Sequence, residues 1–293
     1  MGYLIAASFI WAFSYGLIKV NLTSLDPNFV TFCRLTCALP LFLPFLRIRK
    51  LSAKDSGYLI MIGAVQYGLM YLCFIRSFQY LNAHQAALFT TLTPFYVILI
   101  NSLLSKKFSA YYLMTAAMAV VGGGIIYFQY SEKPEIFQGF LLVQGADICF
   151  AFGQVAYKKF RQLRTDLKDL DVYGLLFIGA VITAALSTSW FGGWKSFPLV
   201  TSQQLLVLIY LGTIASGICF FWWNKGAVNT NPGTLAVFNN LKSPLAILVS
   251  LLFFGEQTDL MRLFLGLSLI GFAAFLSERH EKMPFKKLAI HAS

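Results

Sequence analysis

Charged residues are scarce in this chain. Asp, Glu, Lys and Arg together make up only 12% of its 293 residues, whereas soluble globular domains contain roughly 25%. Hydrophobic residues make up 58% and aromatic residues 16%. This composition argues against both a disordered chain and an ordinary soluble domain, and it is typical of a protein that crosses a membrane several times.

Cysteine and histidine are also few, with five and three residues respectively. All five cysteines lie inside apolar stretches and lack the spacing of a disulfide framework or a zinc site, so we expect them to pack as small apolar side chains. Short motifs for metal-dependent hydrolysis or phosphate binding are missing as well. We therefore predict no cofactor and no metal, and we disfavour a membrane-embedded enzyme, which would need clustered His, Asp or Glu side chains.

Ten apolar segments are long enough to span a membrane, which takes about 20 residues of helix. They are apolar all round rather than on one face, which argues against a soluble helical bundle. The N-terminal stretch has neither the charged region nor the cleavage site of a signal peptide, so we interpret it as the first membrane helix. We predict an all-α polytopic membrane protein with ten transmembrane helices over residues 2–20, 27–46, 57–77, 83–104, 110–129, 137–157, 172–191, 203–223, 233–254 and 260–277.

Basic residues concentrate in alternate connections between these segments. Lys and Arg number 23 against 12 Asp and Glu, which gives a formal net charge of +11. Most of the basic residues lie in the connections 47–55, 105–109, 158–171 and 224–232 and in the tail 279–293. By the positive-inside rule these parts face the cytoplasm, so we predict that both termini are cytoplasmic. The positive net charge then reflects the membrane topology and contact with anionic lipid. It does not indicate nucleic-acid binding, so we predict no nucleic-acid partner.

Weak internal similarity divides the chain into two halves. The stretch IWAFSYGLIK at 10–19 resembles CFAFGQVAYK at 149–158, and Pro94 and Pro244 occupy matching places in two further segments. Because each half holds five helices, the second half must be inverted in the membrane, as in transporters that bind substrate near the midplane. We predict five-helix repeats at 1–130 and 137–278, a linker at 131–136 and a cytoplasmic tail at 279–293.

Several residues recur in an order and spacing that indicate one family. A Trp-Ala pair with a Lys opens the chain, a Pro and an Arg mark the second segment, a central Pro recurs in the fourth and ninth, and a Gly-Glu pair follows the ninth. These residues are Trp11, Ala12, Lys19, Pro27, Arg34, Pro94, Pro244, Gly255 and Glu256. With them the chain resembles the drug/metabolite transporter superfamily, in particular its EamA-like ten-helix branch. The resemblance implies two inverted halves around a central cavity, and transport of amino acids, related metabolites or nucleotide derivatives.

Three ionisable residues lie inside membrane segments, where each costs about 2.5–3.5 kcal/mol on insertion scales and is usually functional. Asp147 in the sixth segment and Lys242 in the ninth lie near the middle, and Arg34 lies eight residues into the second. We predict that Lys242 binds a substrate carboxylate and Asp147 an ammonium group, and that the two form an ion pair without substrate. A purely internal ion pair is the alternative. Asp147 would also carry a coupling proton if burial favours its protonated form.

The other candidate residues are polar or aromatic side chains on the same segments. Gln144, Asp147 and Gln154 share one helix face by their spacing, and we predict that this face lines the pathway, with helix–helix hydrogen bonds as the alternative. The predicted substrate-binding residues are Trp11, Tyr15, Tyr67, Tyr71, Gln144, Asp147, Gln154, Asn239, Asn240 and Lys242. We predict gating or structural roles for Arg34, Arg76, Pro94, Pro244 and Glu256.

Together these features predict a secondary transporter that works by alternating access and carries a small metabolite, with an amino acid or amino-acid-derived solute as the favoured substrate. A nucleoside-type or nucleotide-derived solute such as S-adenosylmethionine is the alternative, because an aromatic face suits a flat ring or a cation. A channel is disfavoured by the repeat and by mid-membrane charges of both signs. We expect protons as a coupling ion, a monomer or weak homodimer and, in a bacterial host, the inner membrane.

Overall fold

The structure of the protein is a computed structural model. It describes residues 2–105, 114, 118, 121, 134–229, 232–257, 259–261, 264–265, 268–269, 271–272 and 275–276, without the side chains of 105, 232–238, 240 and 241. All regular structure in this part of the chain is helical. The predicted fifth segment, 110–129, lies almost entirely outside the described residues, as do parts of the tenth, 260–277, and the tail.

Eight long helices make up most of the described part of the chain. They are α1 (Gly2–Asn21), α2 (Pro27–Phe45, ending in tight 3₁₀ turns), α3 (Ala53–Ser77), α4 (Ala83–Leu104), α5 (Pro134–Leu163), α6 (Asp169–Trp190), α7 (Ser202–Val228) and α8 (Pro232–Phe253). The first seven are long and apolar enough to cross a membrane, and the second half of α8, Lys242–Phe253, is a shorter apolar helix. These helices correspond to predicted segments one to four and six to nine, whereas the total of ten stays a prediction.

Polar caps and glycines mark where the helices begin and end. At the start of α2 the Asp26 side chain accepts hydrogen bonds from the amides of Asn28 and Phe29, and Pro27 occupies the first turn, where its missing N–H costs nothing. The chain leaves α8 through Gly255, whose φ of 64° lies in the left-handed region that favours glycine. The Gly-Glu pair of the sequence is thus a helix terminus that sets the direction of Glu256.

Two of the membrane helices contain a π turn. It spans Ala64–Leu69 in α3 and Leu211–Ile218 in α7. Such turns are rare and are frequently found at functional sites. They bring Tyr67 and Ser216, both buried, into the interior of the bundle.

Helices α3 and α6 pack with their backbones in close contact. A Cβ atom on Gly63 would overlap the carbonyl group of Leu176, and one on Gly179 would overlap the carbonyl oxygen of Ile60. Small residues permit this approach, which is a common way for membrane helices to associate. The pair forms one side of the bundle, and α1 packs against α7 and α8.

Ion pairs join two basic connections at one end of the bundle, which we call the basic end. Lys50 Nζ lies 2.9 Å from Asp171 Oδ2, and Arg164 forms an ion pair with Asp55. Arg161 Nε lies 2.9 Å from an Asp169 carboxylate oxygen. The connection before α3 and the connection between α5 and α6 therefore meet, although they belong to different predicted halves. Which side of the membrane this end faces stays a prediction.

Candidate functional site

A cavity inside the bundle is bordered by charged and aromatic side chains, the kind of lining that small-molecule sites usually have. Helices α1 to α5, α7 and α8 all contribute to its wall. Three of the lining residues are charged, namely Arg34, Asp147 and Lys242. The aromatic lining residues are Trp11, Tyr15, Tyr71, Phe74, Phe150 and Phe220.

Three of these rings, Trp11, Phe150 and Phe220, form a continuous aromatic wall. The Trp11 ring centroid lies 5.2 Å from that of Phe220 and 6.2 Å from that of Phe150. The Trp11 indole N–H donates a hydrogen bond of 2.7 Å to the Ala215 carbonyl, so this ring is held in place. The wall offers the cavity a rigid apolar face.

Lys242 reaches the cavity from α8 and lies against this wall. Its Nζ is 5.0 Å from the ring centroid of Phe150 and 5.9 Å from those of Trp11 and Trp223. An ammonium group this close to aromatic faces is stabilised by cation–π attraction. The side chain is buried, so these rings replace part of its lost hydration.

Asp147 faces the same cavity from α5 and is also buried. Its Oδ1 lies 2.9 Å from Thr93 Oγ1, while its Oδ2 has no hydrogen-bond partner among the described residues. No direct ion pair joins Asp147 to Lys242 in the described part of the structure, unlike the pair expected from the sequence. The reason is local, because Thr93 holds one carboxylate oxygen and the rings hold the ammonium group.

Arg34 supplies the third charge, and sequence reasoning assigned it a gating or structural role. Its side chain is 1% exposed and lines the cavity. The Nη2 atom donates a 2.8 Å hydrogen bond to the Tyr71 hydroxyl, and the guanidinium lies 4.3 Å from the Tyr71 ring centroid. Its Nε and Nη1 atoms have no partner among the described residues. The structure thus places a buried, incompletely bonded cation on the cavity wall.

A polar layer of buried side chains, Gln66, Tyr67, Gln154 and Asn224, lies between the cavity and the basic end. Gln66 Nε2 donates to Asn224 Oδ1 at 3.0 Å, and Asn224 Nδ2 donates to the Tyr67 hydroxyl at 2.8 Å. The Trp223 indole N–H donates to Gln154 Oε1 at 3.0 Å. These bonds connect α3 to α7 and α5 to α7.

The structure separates the predicted substrate-binding residues into two groups. Trp11, Tyr15, Tyr71, Asp147 and Lys242 line the cavity. Tyr67, Gln144, Gln154 and Asn239 lie off its wall, with side chains that bond to other protein groups. For the two glutamines this is the helix–helix bonding that the sequence left as the alternative. The side chain of Asn240 lies outside the described residues.

The predicted gating or structural residues lie away from the cavity, except Arg34. The Glu256 carboxylate accepts hydrogen bonds from the amides of Ala83 and His84, at 2.7 and 2.8 Å, and lies 2.7 Å from His84 Nδ1. It therefore caps α4. Arg76 ends α3 with its guanidinium 5.9 Å from the Phe191 ring centroid. Pro94 and Pro244 lie within α4 and α8.

Some cavity residues were missed by sequence reasoning. Thr90 lines the cavity, and Thr93 holds Asp147 from the same helix. Their run TTLTP was the available signal, because hydroxyl groups beside a proline can bond the backbone that the proline leaves free. Phe74 and Phe220 gave no signal, since the chain contains 29 phenylalanines.

The fold and the cavity together define a class of protein, a multi-span membrane transporter for a small solute. The chain matches the EamA-like transporter family over residues 1–128 and 137–278. It belongs to that family, as the resemblance predicted, and is a transporter rather than an enzyme.

The chain is also similar to individual proteins. It is 38% identical to a probable biotin transporter of Pseudomonas aeruginosa, over 91% of this chain and 93% of the relative. It is 36% identical to the biotin transporter of Escherichia coli K12, over 88% of this chain and 86% of the relative. A solved crystal structure covers 94% of this chain and 95% of its own with a TM-score of 0.63 at 17% identity, which supports the fold alone.

These relatives bear on two further predictions. Bacterial transporters of this kind sit in the inner membrane, which agrees with the predicted location of this multi-span chain. The solute in the names of both relatives is biotin, which is neither an amino acid nor a nucleotide derivative.

Proposed function

We propose that this protein transports biotin across the membrane. Two relatives that are 36% and 38% identical over most of the chain carry that function in their names. Biotin is a monocarboxylate whose neutral body consists of an apolar chain, a sulfur ring and a cyclic urea. The observation that carries the proposal is a cavity with an aromatic wall and more positive than negative charge.

The charges of the cavity favour a monoanion. Arg34 and Lys242 bring two positive charges and Asp147 at most one negative charge. A buried excess charge is unfavourable unless it is paired. Biotin supplies one carboxylate and no cation, whereas a zwitterionic amino acid adds no net charge and leaves the excess in place.

The neutral parts of biotin also find matching groups. The aromatic wall suits the sulfur ring and the aliphatic chain, since apolar lining with a few placed polar groups is usual for such sites. Asp147 Oδ2, which lacks a partner among the described residues, can accept a hydrogen bond from a urea N–H.

An amino acid is the second candidate. In that arrangement Lys242 binds the carboxylate and Asp147 binds the ammonium, both from positions on the cavity wall. The unpartnered Asp147 oxygen also favours it. It leaves Arg34 without an anion, which is why biotin is preferred.

Transport proceeds in this proposal by alternating access between two inverted five-helix repeats, with ten helices and both termini cytoplasmic. The two separate family matches, at 1–128 and 137–278, support the division. The polar layer and the ion pairs of the basic end close one side of the cavity, so they must separate for the solute to leave there. The bond from Gln66 to Asn224 links the two halves and must break in this step.

Uptake of labelled biotin tests the proposal. The chain is expressed in a bacterial host that can neither make nor import biotin, and the same host with an empty vector is the control. We expect saturable uptake that unlabelled biotin inhibits and that amino acids and S-adenosylmethionine leave unchanged. Absence of biotin uptake by protein that is present in the membrane would refute the proposal, and inhibition by one amino acid would favour the second candidate.

A further inference from the structure

Arg34 is a buried cation with unused hydrogen-bond donors. An arginine side chain has five N–H donors, accepts no hydrogen bond and stays charged in proteins. Among the described residues only the Tyr71 hydroxyl bonds to this guanidinium, at 2.8 Å, and Nε and Nη1 have no partner. No described carboxylate forms an ion pair with it. Since the guanidinium also borders the cavity, a substrate anion is the partner that would accept hydrogen bonds from its unused donors.

Lys242 differs from Arg34 in its surroundings. Its ammonium lies within 6 Å of three aromatic ring centroids, whereas the Arg34 guanidinium faces one ring, that of Tyr71. The three rings offset part of the positive charge of Lys242, and Asp147, which lines the same cavity, adds to this whenever its carboxylate is ionised. Lys242 therefore needs a substrate carboxylate less than Arg34 does.

A chain of hydrogen bonds holds the Arg34 guanidinium in one orientation. Because the guanidinium can only donate, the Tyr71 hydroxyl accepts from it, and the Tyr71 hydrogen is left for Ser216 Oγ, 3.0 Å away. Ser216 in turn donates to the Leu211 carbonyl at 2.7 Å. The Leu211 carbonyl lies five residues before Ser216 in the π turn of α7. This turn therefore fixes the last acceptor of the hydrogen-bond chain.

Close packing of α7 against α2 supports the same arrangement. A Cβ atom on Gly212 would lie 2.8 Å from the Arg34 carbonyl oxygen and 2.5 Å from Cys37 Cβ. Only a glycine lets the π turn come so near the backbone that carries Arg34. The guanidinium is thus oriented before any ligand arrives, which lowers the entropic cost of binding.

From these contacts we infer that Arg34, and not Lys242, binds the carboxylate of the substrate, and that Tyr71 and Ser216 are positioning residues for its guanidinium. The inference rests on the proposed function, in which the substrate is a monocarboxylate. It gives Arg34 a role in specificity, because a planar guanidinium pairs with a carboxylate through two parallel hydrogen bonds.

Paired ligands separate this role from a structural one. Purified protein is titrated with biotin and with biotinol, the alcohol that keeps both rings and replaces the carboxylate by CH₂OH. In Arg34→Gln we expect biotin to bind about 10- to 100-fold more weakly, the effect of losing a charged hydrogen bond, with biotinol affinity nearly unchanged. In Lys242→Gln we expect any loss to affect both ligands equally.

Ser216 provides a gentler variant in case Arg34→Gln fails to fold. Ser216→Ala removes the support of Tyr71 while leaving the charge, so we expect a loss of a few-fold for biotin alone and recovery in Ser216→Thr. Thr213→Ala is the matched control, because its hydroxyl lies in the same π turn and, within the described part of the chain, bonds only to the Ile209 carbonyl.

The outcomes are distinct from failure of the proposed function. Wild-type protein that binds neither ligand would refute biotin as the substrate, and the inference with it. Wild-type protein that binds biotin while Lys242→Gln loses biotin selectively would overturn the inference alone. An unchanged ratio of the two affinities in both Arg34→Gln and Ser216→Ala would overturn it as well.

Discussion

Thr93 shows how a single hydroxyl group constrains the protonation of its neighbour. Its Oγ1 lies 2.6 Å from the Thr90 carbonyl oxygen and 2.9 Å from Asp147 Oδ1. The hydroxyl has one hydrogen and cannot donate to both oxygens. The Thr90 carbonyl is accessible because Pro94 has no N–H to bond it. When Thr93 donates to that carbonyl, the Asp147 contact is satisfied only by a protonated carboxyl group.

This geometry predicts a proton-carrying role for Asp147. Asp147→Asn keeps the shape of the side chain but cannot exchange a proton, so we expect it to retain biotin exchange and to lose stimulation by an inward proton gradient. The measurement is uptake into proteoliposomes over a range of pH. Thr93→Ser, which keeps the hydroxyl, is the control and should behave like wild type. The same pH profile in Asp147→Asn and wild type would exclude the proton role.

Charged residues in the middle of the membrane were the most informative single residues in the sequence. The depth of Asp147 and Lys242 in their segments predicts a role in binding, and both line the cavity. The helical spacing of Gln144 and Gln154 predicts that they face the pathway, yet both bond to neighbouring helices. Spacing identifies the residues that share a face but contains no information about which helix covers that face.

At the scale of elements, helix lengths followed the apolar runs closely. The predicted segment 83–104 coincides with α4, and 27–46 differs from α2 by one residue. By contrast α5 extends to Leu163, well beyond the predicted 157. The extra turns carry basic residues, which continue a helix past the apolar region without leaving a hydrophobic trace. The π turns had no signature in the sequence. An inserted residue rotates the following side chains around the helix, but these segments are apolar on all faces, so the rotation leaves no visible break in the hydrophobic pattern.

Glu256 connects two elements that are distant in the chain. Gly255 turns the chain after α8 so that the Glu256 carboxylate meets the first amides of α4. Helix N-termini favour negative charge because their amides are unpaired and their dipole is positive. Burial by itself raises the pKa of Glu256, but the hydrogen bonds from the His84 side chain and the two amides hold that pKa below its usual value.

We expect Glu256→Gln to lower the free energy of unfolding by about 1–2 kcal/mol, as the loss of a helix cap does. Because the pKa of the folded-state carboxyl group is lowered, its stabilisation is present above the pKa of the unfolded chain and is lost as the pH falls through the folded-state pKa. Thermal unfolding in detergent at several pH values measures this difference. Glu135→Gln, at an exposed site on α5, is the matched control, and an equal effect of both variants would contradict the cap.

At the scale of the whole molecule, the basic end joins the two predicted halves. The ion pairs of Lys50 with Asp171 and of Arg164 with Asp55 cross between them. Single pairs that are partly exposed contribute little to stability, about 0–1 kcal/mol, so their effect is to hold one closed arrangement rather than to fold the bundle. Because each ion pair is weak, the set can break and form again in each transport cycle.

The orientation of the molecule is open to a direct test. Ala53 is exposed at the basic end and Ser202 is exposed at the opposite end. Since the basic end is predicted to face the cytoplasm, a membrane-impermeant maleimide on intact cells should label Ser202→Cys and spare Ala53→Cys until the cells are permeabilised. The wild-type chain, whose five cysteines are buried or half-buried, is the control. The reverse labelling pattern would invert the predicted topology.

The sequence by itself determined the class of this protein, the position of most described helices and the two charges at mid-membrane depth. These properties are local, since the length of an apolar run and the depth of a charge within it can be counted along the chain. Only the tertiary structure decided that Arg34 lines the cavity and that Tyr67, Gln144 and Gln154 do not. A polar side chain in a membrane helix bonds to whichever helix packs against it, and that partner is fixed by the packing of the whole bundle.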